Sequence, residues 1–314
     1  MDPLEYEFTI APQLEKDIAN YYQALRFSRA ADGFEYRDHI NSIDQALKKT
    51  LMNYFNEWNI LMFSRKEQVF SFWLEEFRNI YFSVLGQNQM STFHPIASNN
   101  EKWLLEQIMQ KLKAGFLTTG FTEKLNKYNE KYSKRIDKLR ERYCAASKVS
   151  PNAPDMKFVL GLYDQFNVLF DIQTLTKNFR IFEQKLKGQL WYRGDIIFTY
   201  FHFTRDPTRK RYVIHLYLTF SIHMFSNPEH YQKLINQLWQ DATQHMGILF
   251  DMQVAQGVTP YLLQEDHPFN VVEIECPLDA LDTLPINDTG VGEDSLRICI
   301  APQGFTHFNA YSNV

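Results

Sequence analysis

The sequence predicts an α+β protein, in which a helical N-terminal half is followed by an antiparallel sheet domain of β-α-β-β-α-β order and an acidic C-terminal extension. Apolar residues recur every three or four positions through the first half, as one face of a helix requires. Beyond residue 155 the spacing changes to strand-like alternation, interrupted by two further helical stretches. We therefore expect a helical domain at 1–150, a sheet domain at 155–255 and the acidic extension at 256–314.

Two apolar stripes predict helices in the N-terminal half. One stripe contains Ile40, Ile43, Leu47, Leu51, Tyr54 and Trp58, and the other contains Phe70, Trp73, Phe77, Ile80, Tyr81 and Val84. Their spacing favours helices whose large aromatic side chains pack against one another, because such stripes usually form a core. A shorter helix is expected at about 102–113, ending before Gly115.

A longer helix rich in lysine and arginine precedes the expected linker. Its narrow apolar stripe is Leu125, Tyr128, Tyr132, Ile136, Leu139 and Tyr143. Residues 101–150 carry 12 Lys/Arg against 6 Asp/Glu. Such a helix either lies on a polyanion with its basic flanks or is a surface helix whose tyrosine hydroxyls stay in water. The segment 147–155 (SKVSPNAPD) contains two prolines and no periodicity, which predicts a linker between the halves.

The sheet domain is predicted to contain four strands and two helices. The strands are expected at 166–173, 196–204, 212–220 and 248–254. After the first strand, Thr176 is expected to cap a helix whose buried positions are Phe179, Phe182, Leu186 and Leu190. After the third strand, Ser226 or Asn227 is expected to cap a helix with Pro228 in its first turn and an inner side of Tyr231, Leu234, Leu238 and Ala242. This order is the split βαβ, or ferredoxin-like, arrangement, in which both helices cover one face of the sheet and the other face stays free.

Alternation along the strands predicts which side chains occupy the free face. In the third strand the helix-facing set is Ile214, Leu216, Leu218 and Phe220, so Val213, His215, Tyr217 and Thr219 point to the free face. Because the first and third strands are adjacent in this arrangement, Asp171, His202 and His215 are expected to converge. Two imidazoles and a carboxylate can bind a divalent cation such as manganese, zinc or magnesium, which would polarise a phosphate. Histidines that only satisfy their hydrogen bonds within the sheet are the alternative.

The same face carries aromatic rings and ends near a basic hairpin. Phe198, Tyr200 and Tyr217 are expected to stack with unpaired bases, as aromatic rings do on open sheets. The hairpin at 205–211 supplies four cations that would hold a nucleic-acid backbone: Arg205, Arg209, Lys210 and Arg211. An ordinary charged turn is the alternative for the hairpin. Together the rings and the cations predict single-stranded nucleic acid as the ligand.

Five consecutive segments of the sheet domain carry a family resemblance. They are NVLFDIQ, NFRIFEQKLKGQL, IIFTYFHFTRD, RKRYVIHLYLTF and NPEHYQKLINQLWQDA, within residues 166–246. This quarter of the chain resembles the YagK/YfjJ C-terminal family, which includes replication initiators of filamentous phages and belongs with the HUH rolling-circle endonucleases. The resemblance implies a Rep-like sheet domain, a divalent metal and a tyrosine that attacks a DNA phosphate.

The resemblance also implies roles for individual residues. The family has a His-hydrophobic-His metal motif on a central strand, and the matching triplet here is Val213, Ile214 and His215. Only His215 therefore carries over as a metal ligand, and His202 on the neighbouring strand would supply a second imidazole. Tyr231, on the helix that follows, is the candidate nucleophile.

Composition and missing motifs narrow the possible function classes. The three cysteines, Cys144, Cys276 and Cys299, lack the spacing of a disulfide framework or a zinc module and favour a reducing compartment. No secretory signal pattern or membrane-length apolar run is present, so we expect a cytoplasmic protein without a membrane partner. Gly-rich phosphate loops, nucleophile elbows and HExxH motifs are also missing. Residues 251–314 carry one Arg against 10 Asp/Glu, so the extension either folds back over the sheet domain or binds a basic protein partner, and we do not expect it to hold DNA.

Two functions follow from these observations. The first is a nucleic-acid-binding protein of mobile-element or phage type, similar to a rolling-circle replication initiator with an incomplete histidine motif and with or without metal-dependent tyrosine nicking. The second is a catalytically inactive interaction or regulatory module in phage or plasmid competition. The incomplete motif favours an inactive protein, whereas His215, the aromatic face and the basic hairpin favour contact with nucleic acid. We therefore favour binding over cleavage.

Overall fold

The computed structural model describes residues 4–28, 34–65, 67–90, 94–96, 100–150, 153–163, 171–206, 210–221, 227–251 and 298–313. These residues fall into two compact units. The helical unit contains the described residues up to Ser133 together with 299–303. The sheet unit contains those from Lys134 to Asp251, with Ile298 and 304–313. The division between the units lies inside a helix. No helix among the described residues is long and apolar enough to cross a membrane.

The helical unit is built mainly from helices that the apolar stripes predicted. Its elements are α1 (Glu5–Ser28), α2 (Phe34–Asn53), α3 (Phe55–Ser64), β1 (Val69–Phe70), α4 (Phe72–Gln87), α5 (Glu101–Phe116) and the first part of α6 (Thr119–Val149). The stripe that begins at Ile40 is divided between α2 and α3, because Tyr54 leaves helical geometry with φ −134° and ψ 39°. The apolar stripes did not predict α1, which contains Pro12.

Aromatic side chains form much of the core of the helical unit, as the stripes predicted. Trp58 and Trp73 are fully buried. Trp58 meets Phe77 edge-on at 5.2 Å between ring centroids, and Trp73 meets Phe116 edge-on at 6.1 Å. Each such pair adds about 0.5–1.5 kcal/mol beyond the area that it buries. These rings stabilise the fold and are not available to a ligand.

The sheet unit contains a five-stranded antiparallel sheet. Its elements are the end of α6, then β2 (Asp155–Leu162), α7 (Ile172–Lys187), α8 (Leu190–Asp195), β3 (Ile196–Asp206), β4 (Arg211–Phe220), α9 (Pro228–Ala242) and β5 (Gly247–Asp251). After β6 (Ile300–Ala301), which pairs with β1 in the helical unit, the chain forms β7 (Phe308–Ser312). The strand order is β5-β2-β4-β3-β7, and every neighbouring pair is antiparallel.

The first strand of the sheet lies earlier in the chain than predicted. Residues 166–170 of the expected strand lie outside the described residues, and the last part of it begins α7. Asp171 is the N-cap of this helix and accepts a hydrogen bond from the Thr174 amide at 2.7 Å. The true first strand, β2, is buried on both faces for most of its length. Residues 159–162 of this strand (VLGL) do not alternate between apolar and polar side chains, which explains why periodicity missed it.

The two helices between the strands agree with the predictions in position but not in every contact. Thr176 does not cap α7, because its hydroxyl lies inside the helix and donates to the Ile172 carbonyl. Leu190 is 85% exposed and is not a core residue. Asn227 caps α9 as expected, by accepting a hydrogen bond from the His230 amide. The buried side of α9 is one position out of phase with the prediction and consists of Tyr231, Ile235, Trp239 and Ala242.

These helices pack on one face of the sheet. Phe179 of α7 meets Phe201 of β3 at 4.6 Å, and Tyr231 of α9 meets Phe220 of β4 at 4.6 Å. The helices also contact each other, since Phe182 meets Trp239 at 5.6 Å. The helix-facing role predicted for Phe220 is therefore confirmed.

Candidate functional site

Two histidines lie opposite each other on the central strands, as the alternation predicted. His202 of β3 pairs with His215 of β4, and Tyr200 pairs with Tyr217 one step along the same strands. The two imidazole rings are stacked, with centroids 4.5 Å apart and planes only 7° from parallel. Tyr200 and Tyr217 extend this stack on the same face of the sheet.

The face that carries these residues is buried, so the prediction of a free face is wrong. His202 is 2% exposed, and Phe198, Tyr200 and Tyr217 are also buried. The ring of Tyr143, from α6, packs edge-on against Phe198 at 5.3 Å. Tyr143 lies about 55 residues before Phe198, and alternation within a strand cannot reveal such a contact. With this burial the three rings have no surface on which a base could stack.

Burial determines the chemistry of the histidine pair. Removal from water lowers the pKa of His202 well below its usual value, and the neighbouring His215 lowers it further. Burial also lowers the pKa of His215 to about 4. Nε2 of His215 lies 3.1 Å from the Thr204 hydroxyl, whereas Nδ1 of His202 has no hydrogen-bond partner in the described part of the chain. Both rings are therefore neutral at pH 7.

The residues present do not fit the divalent metal that the family resemblance implies. Asp171 caps α7 and does not join the histidine pair. Among the described residues, no three His, Cys, Asp or Glu side chains lie close enough together to hold a metal ion. Magnesium and manganese favour carboxylate and other oxygen ligands, whereas this position offers two parallel imidazoles. The pair is better explained as part of the packing between β3 and β4.

The candidate nucleophile has a structural role. Tyr231 is 6% exposed, and its ring packs between Phe220 and Trp191. Its hydroxyl donates to Asp195 Oδ2 at 2.7 Å. Burial and this carboxylate raise the pKa of Tyr231 to about 12. Asp195 could accept its proton, but a nucleophilic tyrosine also needs access to the substrate, and the buried position of Tyr231 denies it that access.

The basic hairpin does not form one continuous cationic surface. Arg205 is buried within β3, and Arg211 at the start of β4 is only partly exposed. Lys210 turns the chain with a positive φ of 50°. Arg209 lies outside the described residues. The described part of the hairpin therefore offers less charge to a phosphate than its sequence suggested.

A basic face lies on α6. Lys127, Lys131, Lys134 and Lys138 are exposed and follow each other at three- and four-residue spacing, which places them on one side of the helix. Successive lysines are about 5–6 Å apart along this side. Within the part of the chain that the structure describes, Lys127, Lys131 and Lys138 have no hydrogen-bond or ion-pair partner. We call these four lysines the basic face.

An acidic border runs beside the basic face. It consists of Glu123, Glu130, Asp137 and Glu141, which are spaced seven, seven and four residues apart. Around the helix axis, these acids lie about a fifth of a turn from the four lysines. The opposite, apolar side of α6 is buried at Leu125, Ile136, Leu139 and Ala146. The lysine spacing was readable from the sequence, although the site prediction centred on the sheet instead.

No family model, curated protein or solved structure matches the chain.

Proposed function

We propose that the protein binds nucleic acid by its phosphate backbone, through the basic face of α6, without cutting it. The observation that carries this proposal is the row of four exposed lysines, Lys127, Lys131, Lys134 and Lys138. Lysine contacts to phosphates release counterions and supply most of the sequence-independent affinity of nucleic-acid-binding proteins. A straight row of cations about one helical turn apart suits a linear polyanion better than a small anion.

The surroundings of the two predicted catalytic groups support binding without cleavage. The histidine pair is buried and neutral. Tyr231 is also buried, and its hydroxyl donates a hydrogen bond to Asp195. Binding by the basic face would depend on charge and not on base stacking, because Phe198, Tyr200 and Tyr217 are buried. We therefore expect little sequence preference.

We also propose that the sheet unit is a ferredoxin-like, Rep-like domain and a non-cleaving relative of the YagK/YfjJ C-terminal family. The strand order β5-β2-β4-β3 supports this proposal, because the split βαβ arrangement places its fourth, first, third and second strands in this order. The helices α7 and α9 also follow the first and third strands of the set. A protein of this type would act in phage or plasmid replication or in its regulation.

An interaction module is the second candidate. Its support is the charge of residues 251–314, which carry 10 Asp/Glu and one Arg. Such a segment favours a basic protein partner and repels phosphate. Most of it lies outside the described residues, so this candidate is based on composition.

Binding to labelled single- and double-stranded DNA and RNA over about 50–200 mM salt, with manganese or magnesium present, tests the proposal. The test variant replaces Lys127, Lys131, Lys134 and Lys138 by Gln. The matched control replaces four exposed lysines elsewhere: Lys49, Lys102, Lys177 and Lys233. We expect the wild type and the control to bind, and the salt slope of the test variant to be smaller by about 3, since each phosphate contact contributes about 0.7–0.9.

Three outcomes would contradict the proposal. Equal binding by the test variant and the wild type would place the nucleic-acid site elsewhere, and no binding at low salt would favour the interaction module. A shortened, protein-linked strand on a denaturing gel would establish cleavage and contradict the non-cutting part.

A further inference from the structure

The edge strand β7 has one side paired and one side turned outward. The Phe203 amide donates to the His307 carbonyl at 2.8 Å, and the Asn313 amide donates to the Ile197 carbonyl at 3.1 Å. Because backbone groups alternate along a strand, the odd-numbered residues from 307 to 313 face β3. The backbone groups of Phe308 and Ala310 therefore face away from the sheet.

Two arginines of α6 bind this outward side. Arg142 Nη1 donates to the Ala310 carbonyl at 2.6 Å, and Arg135 Nη2 donates to the Phe308 carbonyl at 3.2 Å. The Arg135 guanidinium also lies 4.6 Å from the centroid of the Phe308 ring. The Ala310 amide donates to the side-chain oxygen of Asn309. Side chains thus occupy the exposed edge of the sheet, where another strand would otherwise pair.

These arginines lie beside the basic face. Arg135 directly follows Lys134, and Arg142 is one turn beyond Lys138 on the same helix. Both guanidiniums bind neutral carbonyls, and neither has an acidic partner among the described residues. A phosphate is a stronger acceptor for arginine than a carbonyl is, because its bonds are charge-assisted and can be bidentate.

We infer that β7 competes with nucleic-acid phosphate for Arg135 and Arg142, so that docking of the C-terminal strand restrains binding on α6. This inference rests on the proposed function, because it concerns the same surface. Competition is reciprocal: a ligand that takes the arginines weakens the hold on β7, and a loosened β7 strengthens ligand binding.

A double-mutant cycle on the full chain tests the competition. Asn313→Ala removes two side-chain hydrogen bonds, to the carbonyls of Tyr192 and Ile196, and loosens β7 without changing α6. We expect this variant to bind a single-stranded oligonucleotide about threefold or more tightly, and the gain to vanish when Arg135→Gln and Arg142→Gln are also present. Gln237→Ala, at an exposed position of α9, serves as the control and should bind like the wild type.

Hydrogen exchange of the wild type gives a second measurement that needs no variant. We expect the amides of Asn309 and Tyr311, which face β3, to exchange faster when the oligonucleotide is added. Slower or unchanged exchange, or an Asn313→Ala variant that binds no more tightly, would overturn the inference while leaving nucleic-acid binding intact. A wild type that does not bind at low salt would overturn the proposed function itself.

Discussion

At the scale of single residues, the histidine pair illustrates what a strand pattern can and cannot predict. Alternation along β3 and β4 correctly predicted that His202 and His215 lie on the same face and meet. It could not predict that this face is covered, because the Tyr143 ring that packs against Phe198 of the same face comes from α6, about 55 residues earlier in the chain. It also failed for Asp171, whose short side chain caps a helix instead of extending a strand. The contact was therefore predictable and the chemistry was not.

The buried pair predicts loss of stability in acid. Both histidines have a pKa in the folded protein below the value near 6.5 that they have when unfolded. Between pH 6.5 and about 4 the unfolded chain therefore binds protons that the folded protein does not, and the free energy of unfolding falls as the pH falls. Each histidine contributes up to about 1.4 kcal/mol per pH unit in this window.

Denaturant unfolding at several pH values between 7 and 5 measures this effect. We expect His215→Phe, which keeps a planar ring without a titrating group, to have a shallower dependence on pH than the wild type. His94→Gln, at an exposed position, is the control and should keep the wild-type slope. Identical slopes for wild type and His215→Phe would mean that the pair titrates normally.

At the scale of elements, the regularity of the apolar pattern decided which elements could be predicted from the sequence. The strands β3 and β4 and the helices α7 and α9 were found because their apolar residues repeat with a clear period. The strand β2 was missed because residues 159–162 (VLGL) carry no polar residue at alternate positions, and only its first residue, Asp155, falls in the expected linker. The strand β7 was missed because its five residues pair with β3 over a sequence separation of about 110 residues.

Gly247, at the start of β5, provides a test of the packing between α9 and the sheet. A Cβ added there would lie 2.6 Å from Trp239 Cδ1 and 2.7 Å from the Thr243 hydroxyl. Trp239 is fully buried and its ring nitrogen donates to the carbonyls of Gly161 and Ile248, so it cannot easily move. We expect Gly247→Ala to lower the free energy of unfolding by about 1–3 kcal/mol.

The matched control is Gly115→Ala in α5, where a Cβ would meet no atom within 4 Å. Alanine is the better helix former, so this variant should be more stable by about 0.4–1 kcal/mol. Thermal or denaturant unfolding of both variants measures the difference. A Gly247→Ala variant as stable as the wild type would mean that the Trp239 side is loosely packed.

At the scale of the whole molecule, charge is distributed unevenly along the chain. The net charge is −4, yet residues 101–150 hold 12 Lys/Arg against 6 Asp/Glu and residues 251–314 hold 10 acids and one Arg. A binding site on α6 would therefore work against the field of the protein's own acidic segment. Long-range repulsion of this kind slows the approach of a polyanion, whereas short-range contacts determine how long it stays bound.

Neutralising part of the acidic segment should therefore change the association rate and not the dissociation rate. The variant carries amides at five positions, Asp279, Asp282, Asp288, Glu293 and Asp294, which raises the net charge from −4 to +1. We expect oligonucleotide association to become several-fold faster at about 0.01 M salt, where the Debye length is about 30 Å. The gain should disappear near 1 M salt, where the Debye length is only about 3 Å. Exchanging Asp and Glu at the same five positions keeps the charge and serves as the control. A slower dissociation of the amide variant would instead mean that these acids contact the bound strand, and an unchanged association rate would mean that only charges close to the basic face act on it.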